Sequence, residues 1–398
     1  MTRETFPEVV AVTRGPRHHW FGYYDKSPWD VSGRFMLTGE VDFCDREPTG
    51  DDAMTVGVID LEKDCAFRPI AESRAWCWQT GCMMQWMPPG HDRRIIYNDL
   101  RDGRFVSVIL DVETGEERVL PRAVLAVSLD GRLALCVNMS RLNDMRPGYG
   151  YPGLADANVG EAAPENDGVW VIDLDTGESR LVLTYAQVAA AAPTPNMEGR
   201  KHWLNHLEFN PSATRFSIIH RWSEAAKDGK RAAHWGNQFF SVNVDGTELH
   251  YFDLDNLISH YDWRDDETIL GWAKHADTEK RYFLLTDRTQ DYEIVGEGVL
   301  DCDGHCSYSP DRRWVLTDTY PQTDDLIRTL ILYHPATGKR IDIGKFHEPP
   351  DLWEARTRRC DLHPRWRRDG KAVCVDCVID DVRTLAVLDV ADVVERDP

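Results

Sequence analysis

No stretch of the sequence approaches the roughly 18–20 uninterrupted apolar residues of a membrane-spanning helix. The opening MTRETFPEVVAVTRG has no apolar core of the kind a secretory leader carries, so a soluble, cytoplasmic protein is expected. Positive charge is scarce: 46 Lys and Arg stand against 67 Asp and Glu, a formal net charge of −21. That balance excludes non-specific attachment to nucleic acid or to an anionic membrane. An anionic ligand would have to be met by a local basic cluster or a metal. GxSxG, Walker A and HExxH patterns are all absent, which leaves an activated serine and a Walker-type phosphate loop without support. The ten Cys, in a chain of 398 residues, do not have the density of a disulfide scaffold. Cys374 and Cys377 form a CxxC inside AVCVDCVI, but residues three apart on a strand face opposite sides, so structural thiols are expected there.

What the sequence does contain is a repeat. Seven turn-plus-strand units recur at 30–39, 88–99, 128–138, 210–220, 264–273, 309–318 and 367–376, as in DVSGRFMLTG, SLDGRLALCVN and SPDRRWVLTD. Each is followed by a second alternating strand, as in TVGVIDLEK (55–63) and GVWVIDLDTGESRLVL (168–183). Short alternating runs separated by DG, TG and SPD turns indicate antiparallel strands. Seven such units of about 56 residues predict an all-β fold, a seven-bladed β-propeller spanning 1–398 as one domain. The last unit stops at its third strand, and VVAVT (9–13) is expected to supply the missing outer strand and close the ring, removing exposed edges. Excursions near 140–166, 184–205 and 223–236 interrupt the pattern and are expected as loop insertions, where binding groups commonly sit.

Six residues before the turn Asp, or its equivalent, four consecutive units carry histidine: His206, His260, His305 and His363. The first unit has Lys26 there, the third Val124, and the second falls near Met83 to Gln85. Because the strand entering that turn lines the channel of a propeller, these positions should form one ring facing the axis. A ring of imidazoles suits metal ligation, general-base chemistry or both. Asp361 lies two residues before His363, on the same strand face, and could add a carboxylate ligand. His19, Tyr23, Tyr24, His220 and Arg221 stand close by in sequence, and Arg358 and Arg359 approach the same rim. Among the 14 Trp, most should pack between blades; Trp20, Trp86 and Trp203 lie beside channel positions. His202 and His234 fall in the excursions and His91, His250, His275, His334 and His347 in turns or outer strands, where surface roles are expected.

The order and spacing of HHWFGYYDKSPWD, NHLEFNPSATRFSIIH, SHYDWRDDETI, GHCSYSPDRRWVLTD and LHPRWRRDGKAVCVD resemble the oligogalacturonate lyase family, polysaccharide lyase family 22, whose propellers are TolB-like. The resemblance implies a uronate-containing oligosaccharide as partner and a divalent metal, manganese above others, at the channel mouth; the charge balance already argued against nucleic acid or membrane as partner. It places the proton-abstracting base on His260 and two metal histidines on His305 and His363. A third metal histidine of the family falls on Asp361, and a glutamine ligand on Arg358; His206 could be recruited as a ligand instead. The family's substrate-carboxylate arginine falls near Gln238. The resemblance thus implies β-elimination with His260, Tyr24 and Arg221 as catalytic groups. His305, His363, Asp361 and His206 would be metal ligands, and His19, Lys26, Gln85, Trp203, His220, Gln238 and Arg358 would line the substrate. Two other classes remain open at this point: a non-catalytic binding propeller, and a metal-dependent hydrolase or epimerase using the same ring. The sugar, the linkage and the oligomeric state are left open.

Overall fold

In the computed structural model, which describes residues 6–224 and 235–395, the alternating segments pair into seven separate four-stranded antiparallel sheets. Within six of the sheets the strands follow chain order, so those blades are meanders. The first strands are His18–Trp20, Gln85–Trp86, Ala126–Val127, Lys201–Phe209, Ile258–Trp263, Ser307–Tyr308 and Arg365–Trp366. They line the channel, and neighbouring first strands touch across it. The turn that follows is built from local polar chemistry. In blade six Ser309 Oγ donates to Asp311 (2.6 Å) and accepts the Trp314 N–H (3.0 Å). Ser128 repeats the pattern in blade three with Asp130 (2.6 Å) and the Leu133 N–H (2.9 Å). Gly131 in that turn has φ +72°, and a Cβ there would stand 2.2 Å from the Pro88 carbonyl oxygen, so glycine is required.

The seventh blade takes its outer strand from the other end of the chain. Val9–Ala11 pairs antiparallel with the last strand, Val9 opposite Leu388 and Ala11 opposite Ala386. A second tie lies inside. Asp376 on the second strand of blade seven accepts the Phe21 N–H (3.0 Å) and the Gly22 N–H (3.4 Å) and pairs with the Arg365 guanidinium. Arg365 also donates to the Tyr23 carbonyl (3.0 Å). This buried set fixes the Phe21–Tyr24 loop, in which the first strand of blade one gives way to two tyrosines that enter the channel. Tryptophans fill the spaces between blades, as when Trp20 packs against Trp76 and Trp78 at ring separations of 5.5 and 4.9 Å. Trp86 and Trp203 are as fully buried as Trp20, so none of the three is an open sugar platform.

The insertions all leave the end at which the first strands begin. In blade three, helix Met139–Met145 is capped by Asn138. Arg141 pins it by donating to Asp156 (2.9 Å) and to the carbonyls of His202, Glu161 and Ala162. Between blades three and four, helix Tyr185–Ala191 opens on a Thr184/Gln187 capping box. The excursion expected at 184–205 ends earlier, because the blade-four inner strand starts at Lys201. In blade four the strands Arg215–Ser223 and Gly236–Asn243 flank the third insertion; most of it, with His234, lies outside the described residues. All ten cysteines are free, with Cys374 and Cys377 buried in one strand. No helix among the described residues is long and apolar enough to cross a membrane.

Asp376→Ala would leave the Arg365 charge buried without its carboxylate, and a loss of about 3–5 kcal/mol of folding stability is expected. A urea melt of the variant beside the parent checks it.

Candidate functional site

In blades four and five the repeated histidine stands where the inner strand kinks. In blade four the ladder register shifts between Asn205 and Leu207, and His206 has φ +53°. In blade five the shift falls between Ile258 and Tyr261, around His260. His363 has φ +41°, and Met83, at the matching place in blade two, φ +54°. A bulge leaves one residue out of the pairing and re-aims its side chain, here toward the axis. The result is a continuous ring cluster. His260 and His305 lie 4.2 Å apart by ring centre, and His305 and His363 4.5 Å. Tyr24 touches His206, His260 and His305 at 5.4, 5.8 and 5.3 Å, and Tyr23 bridges His206 and His363 at 5.0 and 5.1 Å.

His305, Asp361 and His363 present one ligand atom each, all within 4.8 Å of one another. The Nε2 atoms of His305 and His363 are buried without a hydrogen-bond partner. Behind them stand carboxylates: Asp318 holds His305 Nδ1 at 2.9 and 3.0 Å, and Asp376 lies 4.0 Å from His363 Nδ1. His305, held through Nδ1 by an acid, offers Nε2 as a lone pair, the arrangement that supports a metal-binding histidine. Asp361 is itself clamped, accepting from Arg328 Nη2 (2.7 Å) and from Arg359 Nε (2.8 and 2.7 Å). Burial works against its charge, but Arg359 and Arg328 hold its carboxyl well below the usual range. Two imidazoles and a carboxylate form a donor set suited to a divalent first-row metal, so the residues present fit such an ion. His206 is not part of this set: its Nε2 lies 2.9 Å from Glu208 and 3.2 Å from the Tyr24 hydroxyl.

His260 is oriented from behind. Its Nδ1 lies 2.9 Å from Asp303 Oδ1 and 3.2 Å from Ser259 Oγ. With the Nδ1 hydrogen directed at Asp303, Nε2 carries the lone pair. Burial and the neighbouring His305 depress its basicity, while Asp303 opposes them. Asp303 escaped the sequence reading, although it stands two residues before His305 in LDCDGHC.

Several expected residues are elsewhere. The Tyr24 hydroxyl donates to the Tyr261 carbonyl (2.9 Å) and accepts the Tyr261 N–H (3.0 Å), so it is a structural peg, not a free proton donor. His19 is buried within blade one, 3.3 Å from Glu40 and edge-on to Phe67. His220 and Gln238 form a row in blade four with His202: His202 Nδ1 and His220 Nε2 lie 2.8 Å apart, and His220 Nδ1 meets Gln238 at 3.2 Å. Burial lowers His220 to about 3. Arg358 turns outward and donates to the Cys44 carbonyl (2.6 Å). Lys26 and Gln85 line a cavity at the opposite mouth of the channel. Trp203 sits edge-on behind Trp235, a support for the wall.

The wall itself was largely missed. Arg359, next to the expected Arg358, is the arginine that reaches the cluster, and its Nη2 donates to the Tyr149 hydroxyl (3.3 Å). Arg146 lies 3.6 Å over the Tyr149 ring and 5.9 Å from that of Trp235, with Arg221 at 5.6 Å from the same Trp235 ring. Arg146 and Arg221 are over nine-tenths buried, yet Arg146 Nε and Arg221 Nε and Nη1 have no partner among the described residues. Tyr320 completes the wall, 6.1 Å from His260 and 5.2 Å from the Arg359 guanidinium. The sequence signal available for Arg146 and Tyr149 was only their place in an insertion, MRPGYGY.

Comparison with solved structures places this architecture beside two oligogalacturonate lyases. One, from Vibrio parahaemolyticus, matches with a TM-score of 0.68 at 15% identity, over 98% of this chain and 95% of the other. The second, solved in complex with manganese, matches with a TM-score of 0.68 at 16% identity, over 96% and 93%. A puromycin-hydrolysing peptidase from Mycobacterium tuberculosis also matches, with a TM-score of 0.54 at 11% identity, over 97% of this chain and 55% of that one. At these identities the likeness is one of fold, a seven-bladed propeller. No family model matches the sequence, and no curated protein does.

Tyr24→Phe removes the hydroxyl that the buried Tyr261 N–H and carbonyl meet at that kink. A loss of about 1–3 kcal/mol is expected, read as a lower urea midpoint at unchanged slope.

Proposed function

We propose that the protein is a carbohydrate lyase that cleaves uronic-acid-containing oligosaccharides by β-elimination. The observation that carries this reading is the His260–Asp303 pair: a base whose free nitrogen stands beside a two-His, one-Asp donor set and under a wall of arginines. The C5 proton of a uronate is too weakly acidic for an imidazole while the adjacent carboxylate keeps its charge. Neutralising that charge lets an enolate-like anion develop. His305, His363 and Asp361 would hold a divalent cation, which would supply that neutralisation as a Lewis acid. Manganese is the ion favoured, in keeping with the manganese-bound lyase of the same fold.

The chain's own groups do the rest. Asp303 keeps the Nδ1 hydrogen of His260 in place, so Nε2 takes the C5 proton. Arg359 and the unpaired Arg146 and Arg221 bind substrate carboxylates and overcome the repulsion of a protein with net charge −21. Tyr149 and Trp235 offer ring faces to the sugar. Since the Tyr24 hydroxyl is committed to backbone, Tyr320 is the phenol offered to the leaving oxygen.

Elimination leaves a 4,5-unsaturated uronide that absorbs in the ultraviolet, so a panel of uronide oligosaccharides scanned for that absorbance tests the reading. His260→Ala should lower the rate by at least about 10²-fold. A panel with no new absorbance, or a rate indifferent to His260→Ala, would exclude the lyase and favour a binding propeller or a hydrolase. Asp303→Asn should lower kcat on the order of 10²-fold with little change in KM, because it disturbs the tautomer and not substrate binding. Metal analysis of the purified protein should find close to one equivalent of a divalent ion, lost in His363→Ala.

A further inference from the structure

At the far mouth of the channel, on the side of the turns, a cavity of about 210 Å³ opens, lined from blades one to five and by Arg368 of blade seven. Its floor holds Asp25, Glu208 and Asp262, and Trp86 and Trp263 flank it. Glu208 and Asp262 stand two residues beyond His206 and His260 on the same inner strands, one step along the axis from the histidine ring. The carboxylates are only partly answered. Asp25 pairs with Lys26 at 2.5 Å, yet its Oδ1 is buried without a partner. Glu208 meets His206 through Oε1, and Asp262 accepts the Tyr308 N–H (2.7 Å) through Oδ2. Lys26 and Arg368 are the cations that line the cavity, one fewer than the acids. Gln85, 8% exposed, also lines it and leaves Nε2 without an acceptor.

We propose that this cavity is a second ligand site, separate from the histidine cluster, for a small organic ammonium that also carries a hydroxyl, as in an amino alcohol or an amino sugar. The ammonium answers the unpaired carboxylate oxygens, and the hydroxyl accepts from Gln85 Nε2. An inorganic divalent ion fits less well, because it needs oxygens converging within a few ångströms. These three acids do not form such a set among the described residues, whereas His305, Asp361 and His363 do. The indole N–H groups of Trp86 and Trp263 already donate to the Pro28 carbonyl and Ser217 Oγ, each at 2.9 Å. The two rings therefore offer carbon to the cavity, which suits an alkyl or sugar face and a neighbouring cation.

The test is calorimetric titration of the full chain with glucosamine, glucose, ethanolammonium, ethylammonium and calcium. Glucosamine or ethanolammonium should bind one to one; whichever binds identifies the sugar or the simple amine as source. Glucose should bind at least about tenfold more weakly than glucosamine, since it lacks the charge. Asp262→Asn, which keeps the acceptor for the Tyr308 N–H, should weaken the ammonium ligand at least about tenfold with an unchanged melting curve. Gln85→Leu should weaken ethanolammonium and leave ethylammonium alone. No binding by any ammonium, equal binding of glucose, tighter binding of calcium, or indifference to Asp262→Asn would each overturn the proposal. None of these readouts depends on uronide turnover.

Discussion

A strand that lines a propeller channel ordinarily spends its backbone on the ladder and alternates its side chains between the two neighbouring blades. Interrupting the ladder by one residue changes that, because the extra residue is unpaired and its side chain turns toward the axis. His206 and His363 hold left-handed backbone to do so, a conformation that costs a non-glycine residue of order 1–3 kcal/mol. The surroundings hold it in place. The Tyr261 hydroxyl binds the His206 carbonyl, and the Tyr24 hydroxyl takes both backbone groups of Tyr261. Ring closure then decides which kinked residues meet. The Asp376 tie between the seventh and first blades brings the Tyr23–Tyr24 loop into the channel, so the histidines of blades four to seven pack around two tyrosines instead of leaving a hole.

The channel is also polarised along its axis. At the end carrying the insertions, Arg146, Arg221 and Arg359 surround the histidine cluster; at the turn end, Asp25, Glu208 and Asp262 outnumber the cations. In a protein of net charge −21, a local reversal of sign is what an anionic substrate needs. Buried guanidiniums without carboxylate partners are costly, which is why Arg146 and Arg221 read as binding groups, and Arg141 and Arg365, each paired with an aspartate, as structural ones. Asp361 shares both natures, since it belongs to the metal-type donor set while two arginines already grip it. That double duty separates this site from one built on imidazoles alone.

Much of this was legible in the residues. The turn chemistry and alternation gave seven blades, and counting from the turn found four histidines that do stand together. Counting failed where the chain leaves the repeat. Lys26 lies beyond the loop in which the blade-one inner strand ends, and Gln85 stands two residues past Met83, which holds the histidine place in blade two, so both residues fall at the far mouth. His220 and Gln238 follow His206 in sequence, yet they lie on the second and third strands of the blade, away from the axis. Arg359 was passed over for Arg358 because sequence spacing cannot tell which of two adjacent side chains faces inward. Arg146 and Tyr149 come from an insertion whose path is fixed by the buried Arg141, a tertiary fact with no local signature.

The central claim is that the kinked histidines break a uronide by removing a proton and adding no water. Mass spectrometry of the products formed in ¹⁸O-labelled water tests it most directly. Elimination predicts fragments whose masses sum to that of the substrate, one of them unsaturated and neither initially labelled by the cleavage step. A pair heavier by one water, with the label on the newly freed anomeric carbon, would mean hydrolysis and contradict the account.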